Sequence, residues 1–251
     1  MKTNQDWLKH FEANSKNRLE FEKDESRLTD AERERVTASI QAFQIGEASE
    51  GKLLKVKARA YAEKSGEEAY PDIINYLIRE ENRHSAYLGG FMRDHSIPVQ
   101  KSNWTDGAFR FIRNIFNLET SIRVLVTAEL VAVKYYAALA SATESPSLKK
   151  ISQRMLEEEA VHIRFQMQTI HKINALKHPI FAALSDILHG LLMAFTLVVV
   201  WHEHKQVLQT AYTFKEFFSG VYDLFRDAMD DGREAAFETL TLQALNHKEA
   251  V

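Results

Sequence analysis

The sequence predicts an all-α protein built on an antiparallel four-helix bundle with additional C-terminal helices. Three observations carry this. Glycine and proline number only 9 and 4 in 251 residues, too few to end the many strands of a β-sandwich or barrel. Long proline-free stretches open on helix-start residues and close on helix-stop residues. Short connections follow the first and third of these stretches, so each must be met by an antiparallel neighbour.

Residues 1–28 are highly charged, with Trp7, Leu8 and Phe11 as apolar anchors, and read as a partly docked N-terminal arm. Thr29-Asp30-Ala31-Glu32 fits a capping box and opens a helix that runs to about Lys64, where Ser65-Gly66 supplies a stop. Pro71, favoured in a first turn, opens the second helix, which ends near Arg93 before Pro98. A third segment lies between Trp104 and Thr143 with a break near Asn117, and a fourth runs from Ser147 to about Leu176. Ile180 to Ala211 makes a fifth, Phe214–Met229 a sixth and Arg233–Ala244 a last amphipathic piece. With no Gly/Ser linker or low-complexity tract, residues 29–251 read as one domain: a bundle over 29–176 and accessory helices over 177–251.

Composition narrows the chemistry. With no cysteine, the chain has no disulfide scaffold, thiolate zinc site, iron–sulfur cluster or cysteine nucleophile. A net charge of −3 gives no basic field for nucleic acid. Met1–Leu19 lacks the apolar core of a signal peptide. The uncharged run Ile187–Trp201 is 15 residues long, short of a spanning helix, and reads as a buried one. These features predict a cytoplasmic protein without a transmembrane segment. Gly-rich phosphate loops and Gly-x-Ser-x-Gly elbows are absent.

Glu81-Asn82-Arg83-His84 and Glu159-Ala160-Val161-His162 each place a carboxylate and an imidazole on one helix face, able to grip one metal ion. Chance alone supplies about one such match in a chain of this composition, so the company they keep decides. Glu129 lies amid Val124, Leu125, Val126, Leu130, Val131 and Val133, where a lone acid is costly to bury unless something neutralises it. The rise from Glu129 to Thr143 is roughly 21 Å and that from Ser147 to Glu159 roughly 18 Å, which sets the two acids at nearly one level. In the first hairpin the count favours Glu50, roughly 21 Å from Lys64 against roughly 15 Å from Pro71 to Glu81. Glu47, one turn away on the same face, is the alternative or supporting ligand, and Gly46 and Gly51 would permit close helix approach. The expected set is therefore Glu50, Glu81, His84, Glu129, Glu159 and His162. Glu158, four residues before His162, is assigned outward.

Four Glu and two His in a bundle core match the ligands of carboxylate-bridged di-iron and di-manganese proteins. Hard oxygens suit iron or manganese, and two divalent ions balance four carboxylates. From Gln41 to Gln168 the chain resembles the ferritin-like di-iron superfamily. Glu80-Glu81-Asn82-Arg83-His84 is similar to the first metal motif of soluble acyl-carrier-protein desaturases. The run from Phe43 to Gly51 resembles ferritin-like proteins of unassigned activity. Two departures matter. The arylamine N-oxygenase type has a further His where this chain has Met155, and rubrerythrins bear a cysteine-ligated domain that this chain cannot form.

The resemblance implies two iron ions, or Mn/Fe or Mn/Mn, in an oxidoreductase that activates O₂ to desaturate or hydroxylate a small apolar molecule or acyl chain. An electron donor is then required. The alternatives are an iron-handling ferroxidase or peroxide scavenger, and a structural metal-binding helical protein. The apolar stretch Gly190–Trp201 is expected to line a substrate pocket, and apolar bundle flanks predict a homodimer. Among other residues, Tyr61, Tyr87, Tyr135 and Tyr136 lie near the ligand helices, Asp186 and His189 share a helical face, and His202, Glu203 and His204 read as a polar helix exit.

Overall fold

The computed structural model describes residues 2–20, 27–48, 51–101, 107, 110–111 and 117–231. Among these, every regular element is a helix and no strand occurs. The chain divides into two compact units, Met1–Ser121 with Ser145–Ser147, and Ile122–Glu144 with Leu148–Val251.

The first unit begins with α1 (Asn4–Lys16), where Thr3 and Asp6 close a capping box. Trp7 and Phe11 are buried. Asn4 Nδ2 donates to Glu67 at 2.6 Å, Asn14 Nδ2 to Glu80 at 2.8 Å, and the Leu19 amide to the Tyr87 hydroxyl at 3.0 Å. From Asn4 to Leu19 the arm is therefore fastened to α4 (Tyr70–Asp94) and the turn before it. Pro71 lies in the first turn of α4, as its fixed φ favours.

The first long helix differs from expectation. It is two helices, α2 (Asp30–Glu47), capped by the Thr29 hydroxyl, and α3 (Lys52–Ser65). Ala48 is extended and Gly51 takes φ +60°, a left-handed conformation that glycine adopts without strain. A Cβ at Gly51 would also run into the Ile78 side chain, whereas one at Gly46 would meet nothing. Close approach is thus a property of Gly51 alone. Both pieces run antiparallel to α4. Arg33 donates to the His95 carbonyl, Gln44 to Ser85, Gly51 abuts Ile78, and Tyr61 packs on Tyr70. Each advance along α2 and α3 is matched by a similar retreat along α4.

The second unit holds most of α5 (Leu118–Ser141) and α6 (Pro146–Ala175). Asn117 accepts from the Thr120 amide at 3.0 Å, the break expected there. Residues 102–106 and 112–116, where a helix from Trp104 would begin, lie outside the described residues, as does Arg233–Ala244. Arg123 bonds Asn174 and Glu129 bonds Gln166, so α5 and α6 form an antiparallel hairpin.

The fifth predicted helix ends early. α7 (Pro179–Glu203) stops at His204 and a short α8 (Lys205–Leu208) follows. α9 (Phe214–Asp231) packs on α7, with Tyr222 and Phe225 beside Gly190. Trp201 rests on Phe214 and Phe217. The expectation of a buried helix fails. Met193, Leu197 and Trp201 are buried, but Leu191, Phe195 and Val198 are exposed, so Gly190–Trp201 is divided between core and surface instead of lining a pocket throughout. By length and composition, both α5 and α7 are apolar enough to cross a membrane. The most apolar window of α5 is 67% buried, that of α7 only 22%.

A polar network ties α5, α6 and α7 together. Arg123 reaches His189 Nδ1 at 3.1 Å, Asp186 at 2.7 Å and Asn174 at 3.1 Å. Asp186 and His189 thus meet through Arg123. Arginine only donates, so Nδ1 accepts and the proton sits on Nε2, 3.0 Å from the Thr127 hydroxyl. That hydroxyl donates onward to the Arg123 carbonyl at 2.8 Å. Burial first, then the Arg123 charge, lowers the His189 pKa to about 3.

The unfolded chain therefore takes up this proton before the folded one does. His189 contributes its full stability above its ordinary pKa of 6.5 and loses it as pH falls toward about 3. The stability gap between wild type and His189→Gln, measured by denaturant unfolding, should shrink as pH falls from 6.5 to 4. A constant gap would contradict the network.

Candidate metal centre

In the first unit α2 ends at Glu47, whose buried carboxylate lies 3.7 Å from His84 Nδ1 on α4. Glu81, one turn before His84, completes a group whose ligand atoms lie within 4.8 Å of one another. Glu50, the residue favoured by counting, lies outside the described residues. Glu47, the alternative, is placed with the motif.

The second unit repeats the arrangement. Glu129 on α5 and Glu159 and His162 on α6 likewise offer ligand atoms within 4.8 Å of one another. Glu159 Oε2 stands 3.4 Å from His162 Nδ1. All three are buried, with His162 wholly enclosed. Gln166, one turn beyond His162, donates to Glu129 Oε1 and so fixes that carboxylate's rotation.

Each unit thus carries two carboxylates and one imidazole. Carboxylate–imidazole separations of 3.4 and 3.7 Å exceed a good hydrogen bond. They are close to the roughly 3.0–3.5 Å expected of two donors each about 2.1 Å from one ion. Hard oxygens with imidazole nitrogen suit manganese, iron or zinc, and the absence of thiolate disfavours softer ions. The donor sets fit a divalent first-row metal.

One expectation is overturned. Glu158 does not point outward: it is 4% exposed and pairs with Arg154 Nη2 at 2.6 Å. Glu80 does the same in the first unit, 1% exposed, with Arg83 at 3.1 Å and Asn14 at 2.8 Å. Arg83 screens that carboxylate. The signal was in the sequence: another acid directly precedes the Glu of each motif, and an Arg lies about one turn from that acid.

No family model, curated protein or solved structure matches the chain. The site therefore speaks through its own chemistry.

The remaining singled-out residues have other duties. Lys134 lies 5.4 Å from the Tyr212 ring, and burial lowers its pKa. Burial also raises the Tyr212 pKa to about 12. Tyr135 and Tyr136 are buried against each other, and Tyr87 accepts from the arm. His202 is exposed, whereas His204 is buried edge-on to Tyr135. They face different ways, and the burial of His204 does not fit a solvated helix exit.

Adjacent acids should part company on mutation. Glu159→Gln should cut metal loading while leaving the fold intact. Glu158→Gln should leave Arg154 without its carboxylate, at a cost of about 2–3 kcal/mol once the guanidinium's partial exposure is allowed for. Metal analysis alongside denaturant unfolding of both variants checks this, and the opposite pattern would put the register of α6 in error.

Proposed function

We propose that this chain is a non-haem di-iron oxidoreductase that uses O₂ to oxidise an apolar organic molecule. Each Glu/Glu/His group would hold one ion, and the pairing of the two ions follows the ligand pattern of the ferritin-like proteins that the sequence resembles. The observation that carries this reading is the recurrence, in both units, of one Glu from a preceding helix with a Glu-x-x-His pair. Two divalent ions would balance the charge of Glu47, Glu81, Glu129 and Glu159.

The chain's own residues supply position and environment. Glu47 closes the first group from the end of α2, where the break at Ala48–Gly51 frees the helix terminus. Gln166 holds the Glu129 carboxylate. The Arg83–Glu80 and Arg154–Glu158 pairs lock the turns that carry Glu81 and Glu159, a second layer of contacts that metal ligands commonly need. Around Glu129 the helix buries Val126, Leu130, Val131 and Val133, so a polar substrate would lose hydration without compensation there. An acyl chain would gain roughly 0.8 kcal/mol per buried CH₂.

Iron would supply the redox chemistry that carboxylates and imidazoles lack. Full reduction of O₂ takes four electrons. Desaturation leaves both oxygens in water, and hydroxylation leaves one in the product and one in water. In either case the substrate gives two electrons and an external donor must provide the other two.

The test is a single turnover. Protein loaded anaerobically with Fe(II), mixed with O₂ and a panel of acyl chains, should yield a product lighter by two hydrogens or heavier by one oxygen in mass spectrometry. Full oxidation of the iron without organic product across the panel would favour iron handling instead.

A further inference from the structure

α7 carries two apolar seams, and among the described residues only one is covered. Met193, Leu197 and Trp201 are buried in the second unit. A second line, Phe181, Leu184, Leu188, Leu191, Phe195 and Val198, is 40–67% exposed. Its spacing alternates strictly between three and four residues, the a/d repeat of a coiled-coil seam. The line spans about 26 Å of helix, and Ile180 and Ile187 flank it, both also exposed.

We infer that this seam is where a second copy of the chain docks, α7 against α7, about a two-fold axis. Charge favours that occupant. A two-fold contact brings like against like, so charges at its centre would repel. Between Pro179 and Val200 the sole charged residue is Asp186, which is bonded to Arg123. Lipid surfaces instead attract helices rimmed with Lys and Arg. Here α7 offers none between those limits, and α9, packed beside it, has Lys215 and Arg226 against Glu216, Asp223 and Asp227. Periodicity agrees, since a strict heptad seam matches the holes of another helix, whereas a lipid-facing surface has no need of one.

Area agrees as well. A large apolar side chain amounts to roughly 60–120 Å² of burial, so eight side chains a little over half exposed supply on the order of 300–600 Å² per copy. The apolar part of a standard homodimer interface is about 500 Å² per partner.

Sedimentation and cross-linking of the full-length chain test the inference. Wild type should run at twice 28.9 kDa, and Leu191→Glu, on an exposed position, should run at 28.9 kDa with unchanged helicity. Because the chain has no cysteine, the double variant Leu188→Cys/Leu191→Cys gives a clean readout. Mild oxidation should link two chains, whether the helices pair parallel or antiparallel, while Val56→Cys on α3, equally exposed, should not. A wild-type dimer that survives Leu191→Glu and does not cross-link through α7 would overturn the proposal, because the interface would then lie elsewhere. A wild-type monomer would overturn it too. If that monomer floated with phosphatidylcholine vesicles and Leu191→Glu abolished flotation, the seam would be a membrane surface. If it did not float, and deleting residues 232–251 made Leu191→Cys more reactive to a thiol reagent, the chain's own C-terminal segment would be the cover.

Discussion

Carboxylates held away from water dominate this structure. Glu47, Glu80, Glu129, Glu158 and Glu159 are each less than 8% exposed, and an isolated buried carboxylate either takes up a proton or finds a positive partner. Two of the five are matched within their own helix, Glu80 by Arg83 and Glu158 by Arg154. The other three stand in two clusters with Glu81 and the imidazoles of His84 and His162. The donor atoms of each cluster lie close enough together to hold a divalent ion. Much of the surrounding architecture serves to place them. The break after Glu47 presents a helix end, Gln166 restrains Glu129, and the arm reinforces Glu80 through Asn14.

What was legible in the sequence was whatever depends on helical periodicity alone. Glu81 with His84 and Glu159 with His162 share a face because three residues make nearly one turn, whatever packs around them. Glu129 was legible from its apolar neighbours. Glu47 was legible only as the alternative to Glu50, because counting back from Lys64 assumed an unbroken helix, and Gly51 in its left-handed conformation ends that count. Glu158 was misassigned for a related reason. It sits about 100° around the helix from Glu159, at the margin of the buried face, where the guanidinium of Arg154 helps make burial tolerable.

The fate of α7 marks another limit. Its composition says that it must be covered, not what covers it. Sequence reading assigned its apolar residues to the interior, yet α9 occupies one side only. The helix can be read as wall on one face and contact surface on the other. His189 shows how the inner face is fixed. Its ring, held by Arg123 and Thr127, sets the rotation of α7 and so determines which seam turns outward.

Anaerobic calorimetric titration of the metal-free protein with Fe(II) or Mn(II) tests the central claim most directly. Two buried carboxylate–imidazole clusters predict two equivalents bound per chain, with none retained once His84 and His162 are both replaced by alanine. Saturation at one equivalent or fewer, or undiminished binding in the double variant, would contradict it.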